Sequence, residues 1–329
     1  MRILALSDTH FGHMYGNTAQ ARKESIHNMF EAFENALEIA KEKEVDVVLH
    51  GGDMFNRSKP PKPIISKAYS IIEDFSRSGI KFVGIPGNHD KSVLPETLMS
   101  HFNEDVYFQN KLARVDFGAI SVISFPYEFR NPLGTFLKLR REIEKDSRQS
   151  FIILNHQLFN GATFGPHRFE FKNRIDALIT DSFPRNAQLF LSGHIHRAQR
   201  IQNNRVYYTG STERTSFMES IEPKGCLLID IEPNSVHVKF IELNSKPMEI
   251  IELNIEQTKM ISKKLDTLVI EKDKKVLIRL TGRILEYNEI KLLWSYFPAK
   301  EYPLLTFTPR KPAMKLRSLF TISKLPLNL

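Results

Sequence analysis

Residues 1–10 read MRILALSDTH, a short aliphatic run followed at once by two side chains that can bind a metal, Asp8 and His10. Residues i and i+2 of an extended chain point to the same side, so this pair forms a natural chelate where the chain leaves a sheet. Taken alone, the pair fits an ordinary turn equally well, because Asp is a common turn residue. The segment indicates a metal site only if the same pattern recurs along the chain.

The same pattern recurs through the first 200 residues, where aliphatic or β-branched runs end in polar clusters. These runs occupy residues 3–6, 45–49, 82–85, 120–124, 151–154 and 189–191. Helical periodicity at 25–43 and 63–78 lies between some of them, and this alternation predicts an α/β fold with helices covering a sheet. Open α/β sheets bind their ligands beyond the strand ends, which is where the polar clusters fall.

Two of these clusters combine glycine with a carboxylate. In Gly51-Gly52-Asp53 the glycines let the backbone turn sharply and bring over the sheet edge one carboxylate that can bridge two cations. In Gly87-Asn88-His89-Asp90 an amide oxygen, an imidazole and a second carboxylate stand together, so His89 is suited to proton donation. A plain Gly-Asp turn and a solvent-exposed loop histidine are the structural alternatives for these segments.

The last two clusters supply histidines, in Asn155-His156 and in Gly193-His194-Ile195-His196. Either alone could hold a core histidine, but five such clusters after successive predicted strands indicate one site. Carboxylate, amide and imidazole donors without thiolate suit manganese, iron or zinc. A pair of such ions activates water and stabilises charge on a phosphate, so the donor set predicts phosphate ester hydrolysis.

Composition sets the wider limits. The chain has 329 residues, a length that favours a globular protein with more than one domain. Its formal net charge of +8 and its pI of about 9.3 favour a polyanionic partner. Its single cysteine, Cys226, excludes an intrachain disulfide. Neither a signal sequence nor a membrane span is recognisable, so an intracellular location, cytoplasmic or nucleoid-associated, is expected.

The order Asp-x-His, Gly-Asp, Gly-Asn-His-Asp, His, Gly-His-x-His resembles the calcineurin-like metallophosphoesterase superfamily over roughly residues 1–230. The resemblance implies a four-layer α/β/β/α sandwich with a small C-terminal α+β capping domain. The stretch GSTERTSF at 210–217, continuing to EPKG at 222–225, is similar to the signature of the Mre-eleven (bacterial SbcD) DNA double-strand-break repair nucleases. That family implies a DNA exonuclease and endonuclease that uses manganese.

The family resemblance also implies a role for each site residue. Two Mn²⁺ ions, with Mg²⁺, Fe²⁺ or Zn²⁺ as substitutes, would be held by seven ligands: Asp8, His10 and His196 on one ion, Asn88, His156 and His194 on the other, and Asp53 on both. His89 would protonate the leaving 3′-oxygen, and Asp90 would fix its ring. Arg57 and Lys59, just after the Gly-Asp motif, are candidate DNA contacts.

Domains and partners follow from the same resemblance. We expect a nuclease domain at 1–245, a DNA-binding capping domain at 246–309, and a basic tail at 310–329 that either docks on an ATPase partner or is simply solvated. The expected partners are DNA, an SMC-like ABC ATPase of the Rad-fifty (SbcC) type and a second copy of the chain, which would pair through helices near 63–78 and 94–102. No membrane association is expected.

One residue departs from the family pattern. Many members carry a second histidine three residues after the bridging aspartate, whereas this chain has Asn56, which cannot shuttle a proton. The balance of exonuclease and endonuclease activity is therefore left open. Two other functions also remain open: a small-molecule or protein phosphoesterase of the same superfamily, and a non-catalytic scaffold that binds DNA ends.

Overall fold

The structure is a computed structural model of the chain. It describes residues 1–16, 18–90, 104–146, 149–171, 177–178, 183–184, 186–201, 205–232, 235–255, 261–271, 273–282, 287–298 and 305–309. The predicted dimer segment at 94–102 and the basic tail at 310–329 lie outside these residues. Among the described helices, none is long and apolar enough to cross a membrane.

The first sheet carries three of the polar clusters. Its strands run in the order β16-β15-β1-β2-β3-β4. Strands β1 to β4 are parallel to one another, and the hairpin of β15 and β16 adds to β1 in the antiparallel sense. The bounds are β1 Arg2–Leu6, β2 Val47–His50, β3 Lys81–Gly84, β4 Val106–Phe108, β15 Gly225–Glu232 and β16 Ser235–Glu242.

The second sheet carries the histidine clusters and has the order β13-β14-β12-β7-β6-β5. Its four inner strands are parallel, and β5 and β13 are antiparallel edge strands. The bounds are β5 Ala113–Phe117, β6 Ile120–Phe125, β7 Ser150–Asn155, β12 Ala187–Ser192, β13 Gln199–Ile201 and β14 Val206–Tyr208. Two short pairs, β8 Leu158–Phe159 with β11 Ala177–Leu178 and β9 Thr163–Phe164 with β10 Phe169–Glu170, complete this region.

In the part of the chain that the structure describes, three helices cover the outer faces of the sheets. Helices α1 (Ala19–Glu42) and α2 (Lys62–Ser76) pack on the first sheet, and α3 (Pro132–Lys145) packs on the second. Helix α3 begins where the Asn131 side chain accepts a hydrogen bond from Gly134 N at 3.0 Å. A separate apolar cluster, which includes Ala5, Val83 and Leu191, fills the space between the sheets. The predicted α/β/β/α sandwich is therefore confirmed.

The chain divides into two compact units. The first comprises Met1–Tyr15 and Arg22–Lys246, and the second comprises Gly16–Ala21 and the chain from Pro247 onward. The second unit has a parallel sheet of β17 Met248–Ile255, β18 Lys275–Gly282 and β19 Leu305–Pro309, with helices α4 Ile261–Asp266 and α5 Tyr287–Tyr296. It buries its own apolar core around β18. Parallel strands that alternate with helices make this unit α/β, not the α+β unit that was expected.

Candidate metal centre

The five clusters meet because their strands are neighbours. Strands β1, β2 and β3 are adjacent and parallel in the first sheet, and β7 and β12 are adjacent and parallel in the second. Backbone bonds join the loops: Asp8 N donates to Gly52 O at 2.9 Å and His10 N donates to Asp53 O at 3.0 Å. Between the sheets, His194 N donates to the Asp8 carboxylate at 3.1 Å. All seven predicted ligands therefore come from one edge of the sandwich.

The first ligand set gathers around His196. Its Nε2 atom lies 2.9 Å from His10 Nε2 and 3.9 Å from Asp8 Oδ1. His10 Nε2 in turn lies 3.9 Å from Asp53 Oδ2. The structure thus brings together Asp8, His10 and His196 with Asp53 at their border.

The second ligand set gathers around the Asn88 side chain. Asn88 Oδ1 lies 2.8 Å from His194 Nδ1 and 3.1 Å from His156 Nε2. His156 Nε2 lies 3.4 Å from Asp53 Oδ2, the same oxygen that borders the first set. Asp53 is therefore the residue common to both sets.

The donor spacing fits divalent cations. Ligand atoms about 2.0–2.2 Å from one ion lie roughly 3 Å apart, which is the spacing of the closest pairs in both sets. Three groups here keep their ligand atoms within 4.8 Å of one another: Asp8, His10 and His196; His10, Asp53 and His89; and Asp8, Asp53 and His156. The predicted divalent-metal site is supported by this geometry.

The backbone is strained at four of the predicted ligands. Asp8, His10, Asp53 and His194 have φ values of 52°, 46°, 52° and 81°, in the left-handed region that side chains avoid. Among the described residues, two other non-glycine residues have a positive φ, Glu44 and Arg168. Such strain costs on the order of 1–3 kcal/mol per residue and persists where the surrounding fold imposes it, commonly at functional sites.

Two glycines allow the loops to approach so closely. A Cβ atom on Gly52, whose φ is +98°, would stand 2.5 Å from His156 Nδ1. A Cβ atom on Gly87 would collide with the Asp53 side chain. Both positions therefore require glycine if Asp53 and His156 are to share the site.

The buried ionisable residues of the site shift one another's pKa values. Burial would raise the pKa of Asp53, but His156 outweighs it and holds that pKa well below its usual range. Burial would lower the pKa of His156, yet the charge of Asp53 raises it to about 9. Burial and the neighbouring His196 keep the pKa of His10 well below its usual value, so its ring is neutral. With His156 protonated, the Asp53–His156 pair is neutral overall, so a divalent ion held by His156 Nε2 would displace that proton.

His89 stands beside the two ligand sets. Its ring lies 4.9 Å from the His10 ring in an edge-on arrangement, and the residue is exposed. His89 Nδ1 lies 2.9 Å from the carbonyl oxygen of Asn56, so Nδ1–H donates and Nε2 remains directed away from that bond. His89 N also donates to Asp53 Oδ1 at 2.7 Å, which ties the loop to the centre.

The expectation that Asp90 fixes the His89 ring was wrong. The Asp90 carboxylate is fully buried and accepts three backbone bonds: from Gly87 N at 2.6 Å, Met54 N at 2.5 Å and Phe55 N at 3.2 Å. Buried backbone donors must find an acceptor, and this carboxylate serves two loops at once. Asp90 therefore locks the β2 and β3 loops together, and a backbone carbonyl orients His89.

A residue that the sequence patterns did not single out contacts the centre. Glu219, in the short 3-10 helix Phe217–Glu219, has Oε1 3.0 Å from His196 Nδ1. Thr215 Oγ1 donates to the same oxygen at 2.7 Å, and Lys224 Nζ lies 2.7 Å from Glu219 Oε2. Burial would raise the pKa of Glu219, but His196 and Lys224 hold it well below its usual range. Glu219 lies between the two segments, 210–217 and 222–225, that resemble the Mre-eleven signature.

The two predicted DNA contacts lie on the surface. Arg57 and Lys59 are exposed on the loop that follows Asp53, Met54 and Phe55. They follow Asp53 by four and six positions along the same loop. They are part of the same loop but not of the ligand cluster.

The sequence of this chain matches a known protein family. The family model for calcineurin-like phosphoesterases matches residues 1–198, which include all seven predicted ligands. The chain belongs to the calcineurin-like phosphoesterase family. The metal-dependent phosphoester hydrolase domain expected from the sequence is thus confirmed.

Within the calcineurin-like phosphoesterases, the chain is similar to a group of curated DNA repair proteins. The chain is 25% identical over 240 residues to the DNA double-strand break repair protein Mre11 of Methanosarcina mazei, covering 70% of this chain and 36% of that protein. It is 22% identical over 205 residues to the protein of the same name from Sulfolobus acidocaldarius, covering 61% and 50%. The predicted resemblance to the Mre-eleven group is confirmed. The chain spans between about a third and a half of these two relatives.

A solved structure has a similar fold. A dimetal phosphatase from Danio rerio superposes with a TM-score of 0.52 at 9% identity, covering 74% of this chain and 97% of that protein. At this identity the match concerns the fold alone, and it supports the calcineurin-like sandwich described above.

Proposed function

We propose that this chain is a DNA nuclease subunit of a double-strand-break repair complex, which hydrolyses phosphodiesters with two Mn²⁺ ions. The observation that carries the proposal is the position of Asp53 Oδ2, within 3.4 Å of His156 Nε2 and 3.9 Å of His10 Nε2. One carboxylate oxygen between two ligand sets is the arrangement that a two-ion phosphoesterase needs.

The residues have distinct tasks in this proposal. When bound, a pair of divalent ions supplies a nucleophilic water and neutralises charge on the phosphate oxygens. The His89 ring lies beside that of His10, and because Asn56 O accepts from Nδ1–H, Nε2 is the nitrogen that would pass a proton from the protonated ring to the leaving 3′-oxygen. Arg57 and Lys59, exposed on the adjoining loop, would contact DNA phosphates.

DNA is the proposed substrate for three reasons. The chain carries the GSTERTSF stretch at 210–217 that resembles the Mre-eleven signature, and its curated relatives are named DNA double-strand break repair proteins. The net charge of +8 suits a polyanion. Manganese is proposed because mixed carboxylate, amide and imidazole donors suit it.

The partner proposals rest on the same relatives. We propose that the second unit acts as a DNA-binding cap, that a Rad-fifty (SbcC) type ATPase binds the chain, and that two copies pair through helix α2 and the 94–102 segment. The ATPase contact is assigned to residues 310–329. These assignments can be tested by co-purification of the two chains and by light scattering of this chain alone.

The nuclease proposal is tested by incubating the protein with Mn²⁺ and either linear or hairpin DNA. We expect cleavage by the wild type and its loss in His89→Ala. His237→Ala is the matched control, because this histidine is exposed on the edge strand β16. Intact DNA in the presence of metal, with and without the ATPase partner, would overturn the proposal and leave a DNA-end-binding scaffold.

A second candidate function has one specific observation in its favour. A cavity of about 300 Å³ beside the first ligand set is lined by Phe164, Phe171, Met218, His194 and His196. Sites of this size and apolar character hold small molecules. A calcineurin-like phosphoesterase acting on a small or protein-borne phosphoester would therefore also fit.

The two candidates differ in their preferred substrate. The nuclease proposal expects slow turnover of bis-p-nitrophenyl phosphate and of cyclic nucleotides, since neither reaches the exposed Arg57 and Lys59. Turnover of these compounds that far exceeds DNA cleavage, measured in one preparation, would favour the second candidate. Replacing Met218 by a polar residue should then change the KM for the small substrate.

A further inference from the structure

Glu219 meets His196 on the side of the ring that faces away from the ligands. His196 Nδ1 lies 3.0 Å from Glu219 Oε1, whereas His196 Nε2 faces His10 and Asp8. A neutral imidazole has one protonated and one bare nitrogen, and an acceptor at Nδ1 places the proton there. The lone pair is then left on Nε2, where a metal would bind.

We propose that Glu219 is a positioning residue that fixes the tautomer and the ring orientation of His196 for metal binding. Its second oxygen is held by the buried Lys224 Nζ at 2.7 Å, and Thr215 Oγ1 donates to the first at 2.7 Å. The carboxylate therefore has no freedom to turn away from the ring. Carboxylate–histidine–metal arrangements of this kind raise the basicity of the ligand. The inference rests on the proposed metal centre but not on the choice of substrate.

Lys224 anchors the ligand at a second point. Its Nζ atom donates to the backbone oxygen of His196 at 2.9 Å, while it also pairs with Glu219. The side chain is wholly buried, so its charge must be compensated inside the protein. One cation thus holds both the backbone of the ligand and the carboxylate that orients its ring.

Glu222 provides a matched control. Its Oε2 atom lies 3.6 Å from the same Lys224 Nζ, and the residue is also buried, but its carboxylate pairs with Lys224 and Arg197 rather than with His196. Glu222→Gln therefore removes a buried charge from Lys224 and keeps every contact of the ligand. Glu219→Gln removes a charge of the same kind and leaves one acceptor oxygen in place of two; with that oxygen on the buried Lys224 cation, an NH₂ group faces His196 Nδ1.

The test measures Mn²⁺ binding by isothermal titration calorimetry on the full chain. Wild type should bind two ions. Glu219→Gln should lose about 10- to 100-fold in affinity at one of the two sites and keep the other, and Glu222→Gln should stay within about threefold of wild type. In the metal-free proteins, two-bond ¹H–¹⁵N correlation spectra should show the Nδ1–H form of His196 in wild type and in Glu222→Gln, and a mixture in Glu219→Gln.

The outcomes are distinguishable. Equal affinity and equal His196 spectra in wild type and Glu219→Gln would overturn the inference, as would an equal loss in Glu222→Gln. If Glu219→Gln does not fold, Glu219→Gln with Lys224→Met removes the unpaired cation as well, and the affinity loss should remain. A wild type that binds no Mn²⁺ would instead overturn the proposed metal centre itself.

Discussion

The Nδ1 atom of His89 lies 2.9 Å from the backbone carbonyl oxygen of Asn56. A main-chain atom therefore orients the proposed acid, and the identity of the side chain at position 56 does not matter for that bond. Asn56 stands where many Mre-eleven relatives carry a histidine. Its side chain instead lies 3.2 Å from His13 Nδ1.

The first prediction separates the backbone of position 56 from its side chain. Asn56→Ala keeps the carbonyl that holds His89, so Mn²⁺-dependent DNA cleavage should fall less than about threefold, whereas His89→Ala should fall by about 10²- to 10⁴-fold. Single-turnover cleavage followed on denaturing gels measures both. An equal loss in the two variants would show that the Asn56 side chain takes part.

The second prediction concerns Asp90. Its two oxygens accept bonds from Gly87 N, Met54 N and Phe55 N, so Asp90→Asn sets an NH₂ group against a backbone N–H. We expect the free energy of unfolding to fall by about 2 kcal/mol, the cost of leaving buried donors unsatisfied. Urea denaturation measures this value. A variant of normal stability that lacks cleavage activity would point back to a direct role at His89.

The third prediction compares two glycines of similar backbone conformation. Gly52 and Gly161 have φ values of +98° and +92°, but a Cβ atom would stand 2.5 Å from His156 Nδ1 at Gly52 and meet nothing within 4 Å at Gly161. Both Ala variants carry the strain of a positive φ, roughly 1 kcal/mol. Gly52→Ala should lose Mn²⁺ affinity in addition, measured by calorimetry. Equal affinities in the two variants would contradict the close packing of the site.

The fourth prediction concerns metal removal. An ion that binds the folded state alone stabilises it by about 2.7 kcal/mol when its free concentration is 100 times Kd. Wild type should therefore unfold at a higher temperature in Mn²⁺ than in EDTA. Asp53→Ala, which lacks the residue common to both ligand sets, should lose this shift, and His237→Ala should keep it. Circular dichroism melts measure the difference.

Sequence patterns predicted much of the architecture and the meeting of the five polar clusters at one site. Strand ends are readable because aliphatic runs stop abruptly before polar residues, as at Leu6 before Asp8 or Leu154 before His156. The helix Pro132–Lys145 and the hairpin of β15 and β16 were not assigned from the sequence. The neighbour order of the strands, which brings β12 beside β7, depends on long-range packing that no local pattern records.

The contacts that support the site were harder to predict than the residues that gather there. Glu219 lies 23 positions from His196 in sequence, and only the fold brings its carboxylate to the ring. Asp90 was placed wrongly because sequence adjacency to His89 suggested a pair. The side chains of neighbouring loop residues often point in different directions. The Asp90 carboxylate accepts hydrogen bonds from the buried N–H groups of Gly87, Met54 and Phe55 instead of contacting His89. The signal that could have found Glu219 is the presence of two acids, Glu219 and Glu222, between Thr215 and Lys224 in the 210–225 stretch.

The most direct test of the central claim is a side-by-side measurement of Mn²⁺-dependent nucleotide release from linear duplex DNA by wild type, Asp53→Ala and His237→Ala. The two-ion nuclease account predicts release by wild type and His237→Ala, its loss on adding EDTA, and none above background in Asp53→Ala. Release by Asp53→Ala at the wild-type rate, or none by wild type with Mn²⁺ bound, would contradict it.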